Sequence, residues 1–209
     1  MPWKLPRSLV VLEGLGAWES IYVPIPSLQG QLLVASPDLD DPNFKRSVIL
    51  ILEHTSEGAL GVMLNRRLGV SLDEAARGWG IHGSEPRVIF DGGPVQRDAT
   101  IALGRLHHPC VDADSFASPI LGDLVSIDLD AQPDLVDGLL VDLRVFFGYA
   151  GWSAGQLDAE IKDGGWIVID AEPSDPWTDD PDVLWRSVLS RQGWPVAAFA
   201  RFPEDPGLN

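Results

Sequence analysis

"SVILILEHTSEGALGVMLN", residues 47–65, decides the fold. Ser47–His54 is almost wholly apolar and rich in β-branched residues, the composition of a central strand buried on both faces. Thr55–Gly58 is a four-residue turn, and Ala59–Asn65 returns as the antiparallel partner. A central antiparallel hairpin excludes a clean doubly wound parallel sheet. The hairpin also sorts polar residues by end. His54 sits at the turn. Asn65 and Arg66 stand at the open end beside Arg46 and Ser47, where a polar cluster is expected.

Working outward, Leu32–Ser36 reads as a short strand and Pro37–Asn43 as an Asp- and Pro-rich turn. Ser71 and Glu74 have capping-box spacing and open a helix that Gly78 or Gly80 stops. Arg87–Asp91 is a strand running into Gly92-Gly93-Pro94, and Ala99–Leu106 is the next. Leu121–Leu129 alternates like a strand with one wet face, and Pro133–Leu140 reads as a short helix. Leu143–Tyr149 and Trp166–Asp170 are buried strands. Asp180-Pro181 opens a helix to about Gln192, with Leu184, Trp185, Val188 and Leu189 at helical spacing. Strands and helices alternate irregularly, so the expectation is one mixed-sheet α/β or α+β domain over residues 28–209. Residues 1–27, broken by Pro2, Pro6, Pro24 and Pro26, read as a loosely ordered N-terminal extension lying over the core through Trp3 and Trp18.

Composition narrows the function. The chain has 209 residues, 45% hydrophobic, enough for a sizeable core. Its 15 Lys and Arg against 31 Asp and Glu leave a net charge of −16. Such a field repels phosphate backbones and anionic lipid, and no basic run overrides it. Direct nucleic-acid binding is therefore not expected. The single Cys110 excludes an intramolecular disulfide, and no apolar run approaches the roughly 18 residues of a membrane span. The N-terminus is a poor secretory signal, because Glu13 and glycines break its apolar stretch. A cytoplasmic protein is expected.

The stretch "GYAGWSAGQL", residues 148–157, resembles a phosphate-binding loop only superficially. Its glycine spacing fails the dinucleotide pattern, and Gln156 stands where a P-loop needs Lys. Placing Ser153 at the N-cap instead makes Gln156 its capping-box partner and sets Trp152 against Leu157 as a hydrophobic staple. Ala154, Leu157 and Ile161 then share one face, and Gly164-Gly165 ends the helix. Gly151-Trp152-Ser153-Ala154-Gly155 also fits G-x-S-x-G, the elbow of serine hydrolases. No histidine follows Ser153, since His54, His82, His107 and His108 all precede it. A triad would need another chain order, with His54 or His107 as base.

Two further clusters lack the spacing of a metal site. "RLHHPCVDADS", residues 105–115, holds His107, His108, Cys110, Asp112 and Asp114 but no zinc-ligand pairing. "DLDDPNF", residues 38–44, would need Gly at 43 and Glu at 49 for a calcium loop, and Asn43 and Ile49 stand there. No metal or cofactor is expected.

The blocks D-P-N-F-x-R-S (41–47), E-H-x-x-E-G-A-x-G (53–61), G-G-P-V (92–95) and G-Y-A-G-W-x-A-G-Q-L (148–157), with a late "LWRSVL", resemble the YqgE/AlgH family of bacterial proteins over roughly residues 29–195. The resemblance implies a bent, barrel-like mixed sheet flanked by helices. It implies no activity and no catalytic residues. The family is mostly uncharacterised, and some members carry a label of transcriptional regulation of exopolysaccharide. Two positions depart from the family pattern: Leu52 precedes Glu53-His54 where a cysteine is common, and Gly165 precedes Trp166 where asparagine is usual.

The expected function is a non-enzymatic regulatory or binding protein that takes a small ligand or a protein partner. Candidate ligand-binding residues are Asn65, Asp91, Gly92, Gly93, Tyr149, Trp152 and Gln156, at strand ends where glycine permits close backbone approach. The alternative is a serine hydrolase using Ser153 with His54. No catalytic motif is complete, and the balance leans against an enzyme.

Overall fold

A computed structural model describes residues 27–107 and 116–203. The extension, with Trp3 and Trp18, and the cluster members His108, Cys110, Asp112 and Asp114 lie outside these residues. The central hairpin forms as its sequence dictates. Strand β2 (Val48–Thr55) pairs antiparallel with β3 (Gly58–Met63), and Leu50 stands opposite Val62. The upstream strand β1 (Gln31–Ala35) pairs β2 on its other side, and β10 (Trp166–Asp170) pairs β1 antiparallel.

The remaining elements in chain order are β4 (Arg67–Ser71), α1 (Leu72–Ala75), β5 (Val88–Asp91), β6 (Val95–Leu106), β7 (Ala117–Leu121), β8 (Leu124–Ile127), β9 (Leu140–Ser153), α2 (Gln156–Lys162), α3 (Leu184–Ser190) and α4 (Val196–Phe199). The sheet runs β10-β1-β2-β3-β9-β6-β8-β7, with β5 and β4 attached through β9. Only β5–β9 is parallel among these pairs, so the sheet is mixed and the fold is α+β. The sheet curls into a half-barrel. Gln29 Nε2 bridges the curl, donating to the Leu52 carbonyl on β2 at 3.0 Å and the Ile120 carbonyl on β7 at 3.2 Å.

Alternate residues of β1–β3 face two separate cores, as a strand buried on both faces requires. Leu32, Val34, Leu50 and Val62 pack with Leu184, Trp185, Val188 and Leu189 of α3. Leu33, Ile49, Ile51 and Met63 pack with Trp152, Leu157 and Trp166 beneath α2. A third cluster forms around Trp79, Val125, Ile127 and Leu143.

Strand β9 is the axis of the fold. Its first part pairs β6, with Phe146 opposite Ile101, and its last part pairs β3, with Gly61 opposite Ala150. It changes partner between Tyr149, opposite Val95 on β6, and Ala150, opposite Gly61 on β3, beside the place where the Gly92-Gly93 segment crosses. A Cβ on Gly93 would lie 2.2 Å from the Tyr149 carbonyl carbon. Only backbone without side chains can approach so closely.

Several boundaries differ from the sequence expectation. Leu121–Leu129 is not one strand: a turn at Gly122-Asp123 splits the region into β7 and β8. Pro133–Leu140 forms only a 3₁₀ turn at Pro133–Val136, and Leu140 already belongs to β9. Ser71 takes the N-cap position of the one-turn α1, but its side chain makes no capping bond. Asp180-Pro181 opens a 3₁₀ turn before α3, again without a side-chain cap. Helix α2 starts at Gln156, capped by Gly155 at φ +70° rather than by Ser153. The cause is sheet pairing: Ser153 stands opposite Gly58 on β3, which holds it extended. Ala154 is accordingly exposed.

Candidate functional site

The polar cluster expected at the open end of the hairpin exists, and the D-P-N-F turn builds it. Asp41 Oδ1 accepts the backbone N–H of Asn43 at 2.8 Å and its side-chain amide at 3.1 Å. The Phe44 and Lys45 N–H groups donate to the Asp41 carbonyl. This turn drives Phe44 inward, edge-on to Trp166 at 5.5 Å and stacked on Trp152 at 6.3 Å. Asn65 brackets the next residues: its Oδ1 accepts from Val48 N–H and its Nδ2 donates to the Arg46 carbonyl, both at 2.9 Å. Arg66 Nη2 donates to the Lys45 carbonyl at 3.1 Å.

Arg46 is the strained member. Its φ is +55°, a left-handed conformation rare outside glycine and costing on the order of 1–3 kcal/mol. Its surroundings over-determine it. The guanidinium lies 4.4 Å over the Trp185 ring, and Nη2 donates to the Phe202 carbonyl at 2.7 Å and the Pro203 carbonyl at 2.5 Å. Arg46 thereby ties the turn to the segment that follows α4.

Between turn and segment lies a cleft of about 690 Å³. Ser36, Asp38, Lys45 and Arg46 line one side, and Arg201 and Phe202 the other. Ser36 is only 7% exposed, and its Oγ has no hydrogen-bond partner among the described residues. The Ser47 and Ser56 hydroxyls share this state, so it does not single out the cleft. Lys45 Nζ stands 3.3 Å from Asp40, both partners open to solvent.

The sequence-predicted residues fall into three places. Asn65 belongs to this open end. Asp91, Gly92, Gly93 and Tyr149 sit at the β9 crossing, where Asp91 Oδ1 accepts the Gly93 N–H at 3.1 Å. There the close approach that glycine permits is made by β9 itself. Trp152 and Gln156 lie at the α2 junction. Glu160 Oε2 accepts both indole N–H groups, Trp152 at 2.9 Å and Trp166 at 2.8 Å, and Glu160 Oε1 accepts Gln156 Nε2 at 2.9 Å.

Ser153 and His54 are not brought together. Ser153 Oγ donates to Gln156 Oε1 at 3.0 Å, and Ser153 N–H to the same oxygen at 3.1 Å. The expected capping box does not form: Gly155 is the N-cap of α2, and Gln156 accepts both bonds from Ser153 without a reciprocal one. His54 Nδ1 accepts the Leu28 N–H at 3.1 Å, and its Nε2 lies 4.0 Å from Asp158. His54 pairs with Ala59 and Ala59 with Trp152, so two strand spacings separate His54 from β9. Among the described residues no group of three or more His, Cys, Asp or Glu could hold a metal ion. No helix among them is long and apolar enough to cross a membrane.

A buried cation stands apart from this cluster. Arg144 is 2% exposed, donates from Nη2 to the Glu85 and Thr178 carbonyls at 2.8 Å, and lies 4.4 Å over Phe90. Burial pushes its guanidinium down to about 10, against the opposing pull of Asp142 and Asp179. It remains charged at neutral pH and clamps two loops.

Sequence reasoning missed Ser36, Arg201 and Phe202. The single local signal was the Lys45-Arg46 pair, a rare basic doublet in an acidic chain.

Comparison with known proteins accords with this architecture. The AlgH-like family model matches residues 32–197. A UPF0301 protein of Thermobifida fusca is 46% identical over 194 residues, covering 88% of this chain and 96% of its own. One from Streptomyces avermitilis is 43% identical, covering 88% and 97%. A crystal structure of a Corynebacterium diphtheriae protein superposes with a TM-score of 0.76 at 31% identity, covering 85% of this chain and 93% of that one. The solution structure of AlgH from Pseudomonas aeruginosa gives 0.63 at 28%, covering 86% and 96%. The chain belongs to the AlgH-like, UPF0301 family.

Proposed function

We propose that this protein is a non-enzymatic binding protein of the bacterial cytoplasm that takes a small ligand in the cleft between the 36–46 turn and the 198–203 segment, with a regulatory role exerted through the occupied state. The observation that carries the reading is Arg46. Its left-handed backbone is strain at a surface turn, and its side chain fixes both cleft walls. Strain of this kind gathers at functional positions. The cleft volume lies within the few hundred to about 1,000 Å³ of typical small-molecule sites.

The serine hydrolase alternative has no base positioned for Ser153 among the described residues, and its hydroxyl proton is directed at Gln156. The Asn65 member of the sequence-derived ligand set supports the cleft turn, whereas the glycines at 92 and 93 are occupied by backbone.

A ligand-observed NMR screen of a bacterial metabolite extract tests the reading. Ala198→Trp fills the cleft from an exposed wall position. Metabolites whose signals broaden with the parent protein and not with Ala198→Trp support the proposal. A screen in which no metabolite distinguishes the two proteins overturns it.

A further inference from the structure

The segment between β10 and α3, residues 171–183, is joined to the body mainly through arginines. Its regular structure is local, two 3₁₀ turns at Asp175–Trp177 and Pro181–Val183, and no strand among the described residues pairs with it. It carries five acidic residues and no basic one. Three elements reach it from outside. Arg191 of α3 grips Asp175 and lies 3.3 Å from Glu172. Arg67 of β4 bonds Asp182. Arg144 of β9 donates to the Thr178 carbonyl at 2.8 Å. Trp177 adds a partly buried apolar contact.

Arg144 differs from the other two. Its Nε and Nη1 are buried and have no hydrogen-bond partner among the described residues. Nη2 meets only carbonyls, those of Glu85 and Thr178. Asp142, two residues away, is engaged by Arg105 and Ser84. Asp179 is exposed and acts on the guanidinium through space. A charge taken out of water without a bonded carboxylate is costly. The Thr178 backbone is part of its cover, so the cost is relieved when the segment lifts and water reaches Arg144.

We propose that residues 171–183 are a strap that lifts and reseats within the folded protein, held down by the Arg67 and Arg191 pairs and pushed up by the buried guanidinium of Arg144, so that ionic strength sets the fraction seated. Lifting breaks no strand pair. The Arg67–Asp182 pair is open to solvent, its side chains 44% and 61% exposed, and salt screens such pairs. Salt does not offset the dehydration of Arg144, which is 2% exposed while the strap is seated. Added salt therefore weakens the hold and leaves the push.

Amide exchange of the full chain, resolved by NMR, tests the strap. The Glu172, Asp175 and Trp177 N–H groups are bonded within it, and a single 3₁₀ turn does not hold once unseated. From about 0.02 to about 0.5 M NaCl, their exchange is expected to rise at least about threefold relative to Leu50 and Val62 of the central hairpin. Arg67→Gln raises it about two- to fivefold at low salt and weakens the salt response. Arg144→Met, similar in length and uncharged, slows it about threefold or more. A guanidinium that only clamped the strap would speed exchange when lost. Exchange that salt does not raise, or that Arg67→Gln does not raise, or that Arg144→Met speeds, overturns the proposal. Arg67 lies at the surface, so the salt series and its variant decide the matter even where Arg144→Met fails to fold.

Discussion

Gly92 and Gly148 meet backbone to backbone: a Cβ added to Gly92 would stand 2.2 Å from the Gly148 carbonyl oxygen. Just beyond this contact, after Tyr149, β9 leaves β6 and joins β3, so the crossing lies where the two halves of the sheet meet. Gly148 has φ +71°, and its own Cβ would lie 2.5 Å from the Gly93 carbonyl oxygen. Gly92→Ala and Gly148→Ala are each expected to cost at least about 2–3 kcal/mol, since neither chain can retreat without breaking a strand pair. Gly69→Ala, with nothing within 4 Å, is the control and leaves stability essentially unchanged. Urea unfolding of the three variants checks this, and a stable Gly92→Ala protein would contradict the crossing.

The Glu160 carboxylate joins α2 to the sheet by accepting two indole N–H groups on one oxygen. Glu160→Ala leaves both buried donors unpaired, a loss of about 2–4 kcal/mol. That corresponds to a drop of roughly 4–15 °C in Tm for a chain of this size. Glu160→Gln keeps an acceptor oxygen and should lose about half as much. Thermal unfolding followed by circular dichroism reads the effect, and tryptophan fluorescence reports it in part, since Trp152 and Trp166 are two of the chain's eight tryptophans.

Arg191 grips Asp175 through two bonds, Nη1 to Oδ1 at 2.7 Å and Nη2 to Oδ2 at 2.6 Å. Asp175 is buried, and its Oδ2 also accepts the Glu172 N–H at 2.7 Å. Arg191→Ala abandons a buried carboxylate to one backbone donor. The full cost of breaking a buried pair is discounted here because Arg191 is about a fifth exposed, leaving about 2–3 kcal/mol. The hydrogen bonds to Asp175 hold the Arg191 guanidinium above its already high ordinary value, against burial. A base with a raised folded-state pKa contributes its full stabilisation below the unfolded-state value and loses it only as pH climbs through the folded one. Titration of Arg191 therefore adds no pH dependence between about pH 6 and about pH 9. Denaturation midpoints at both ends of that range check the magnitude and the flatness together.

Ser153→Ala removes an exposed hydroxyl bonded, among the described residues, to Gln156, at a cost of less than about 1 kcal/mol. A fluorophosphonate probe is expected to leave the parent protein unlabelled. Labelling that Ser153→Ala abolishes would establish a reactive serine and refute the non-enzymatic reading.

The β2–β3 hairpin was legible because its register is written locally, in an apolar run, a turn and a return. The long β9 was not. Leu143–Tyr149 reads as a strand, but Gly151 beyond it reads as a turn, whereas β3 supplies the partner that carries β9 on to Ser153. The same pairing moved the α2 cap from Ser153 to Gly155, a tertiary constraint invisible in a capping pattern. At the open end, Asn65 and Arg66 were placed correctly beside Arg46 because hairpin geometry alone sets them there. The cleft could not be read, since Ser36, Lys45 and Arg201 line one cleft only after α3 packs on β1 and α4 packs on α3.

The pairing of β1 with β10 has a consequence in the order of synthesis. Gln31 and Asp170, opposite one another in the finished sheet, are 139 residues apart in the chain. At about 5–20 residues per second, a ribosome takes roughly 7–28 seconds to make the second after the first. Throughout that interval the outer edge of β1, among the most apolar segments of the chain, has no native partner and is a template for other strands. Slow elongation or a truncated transcript would therefore favour aggregation over folding, and chaperone contacts during synthesis should concentrate on nascent chains that end before Trp166.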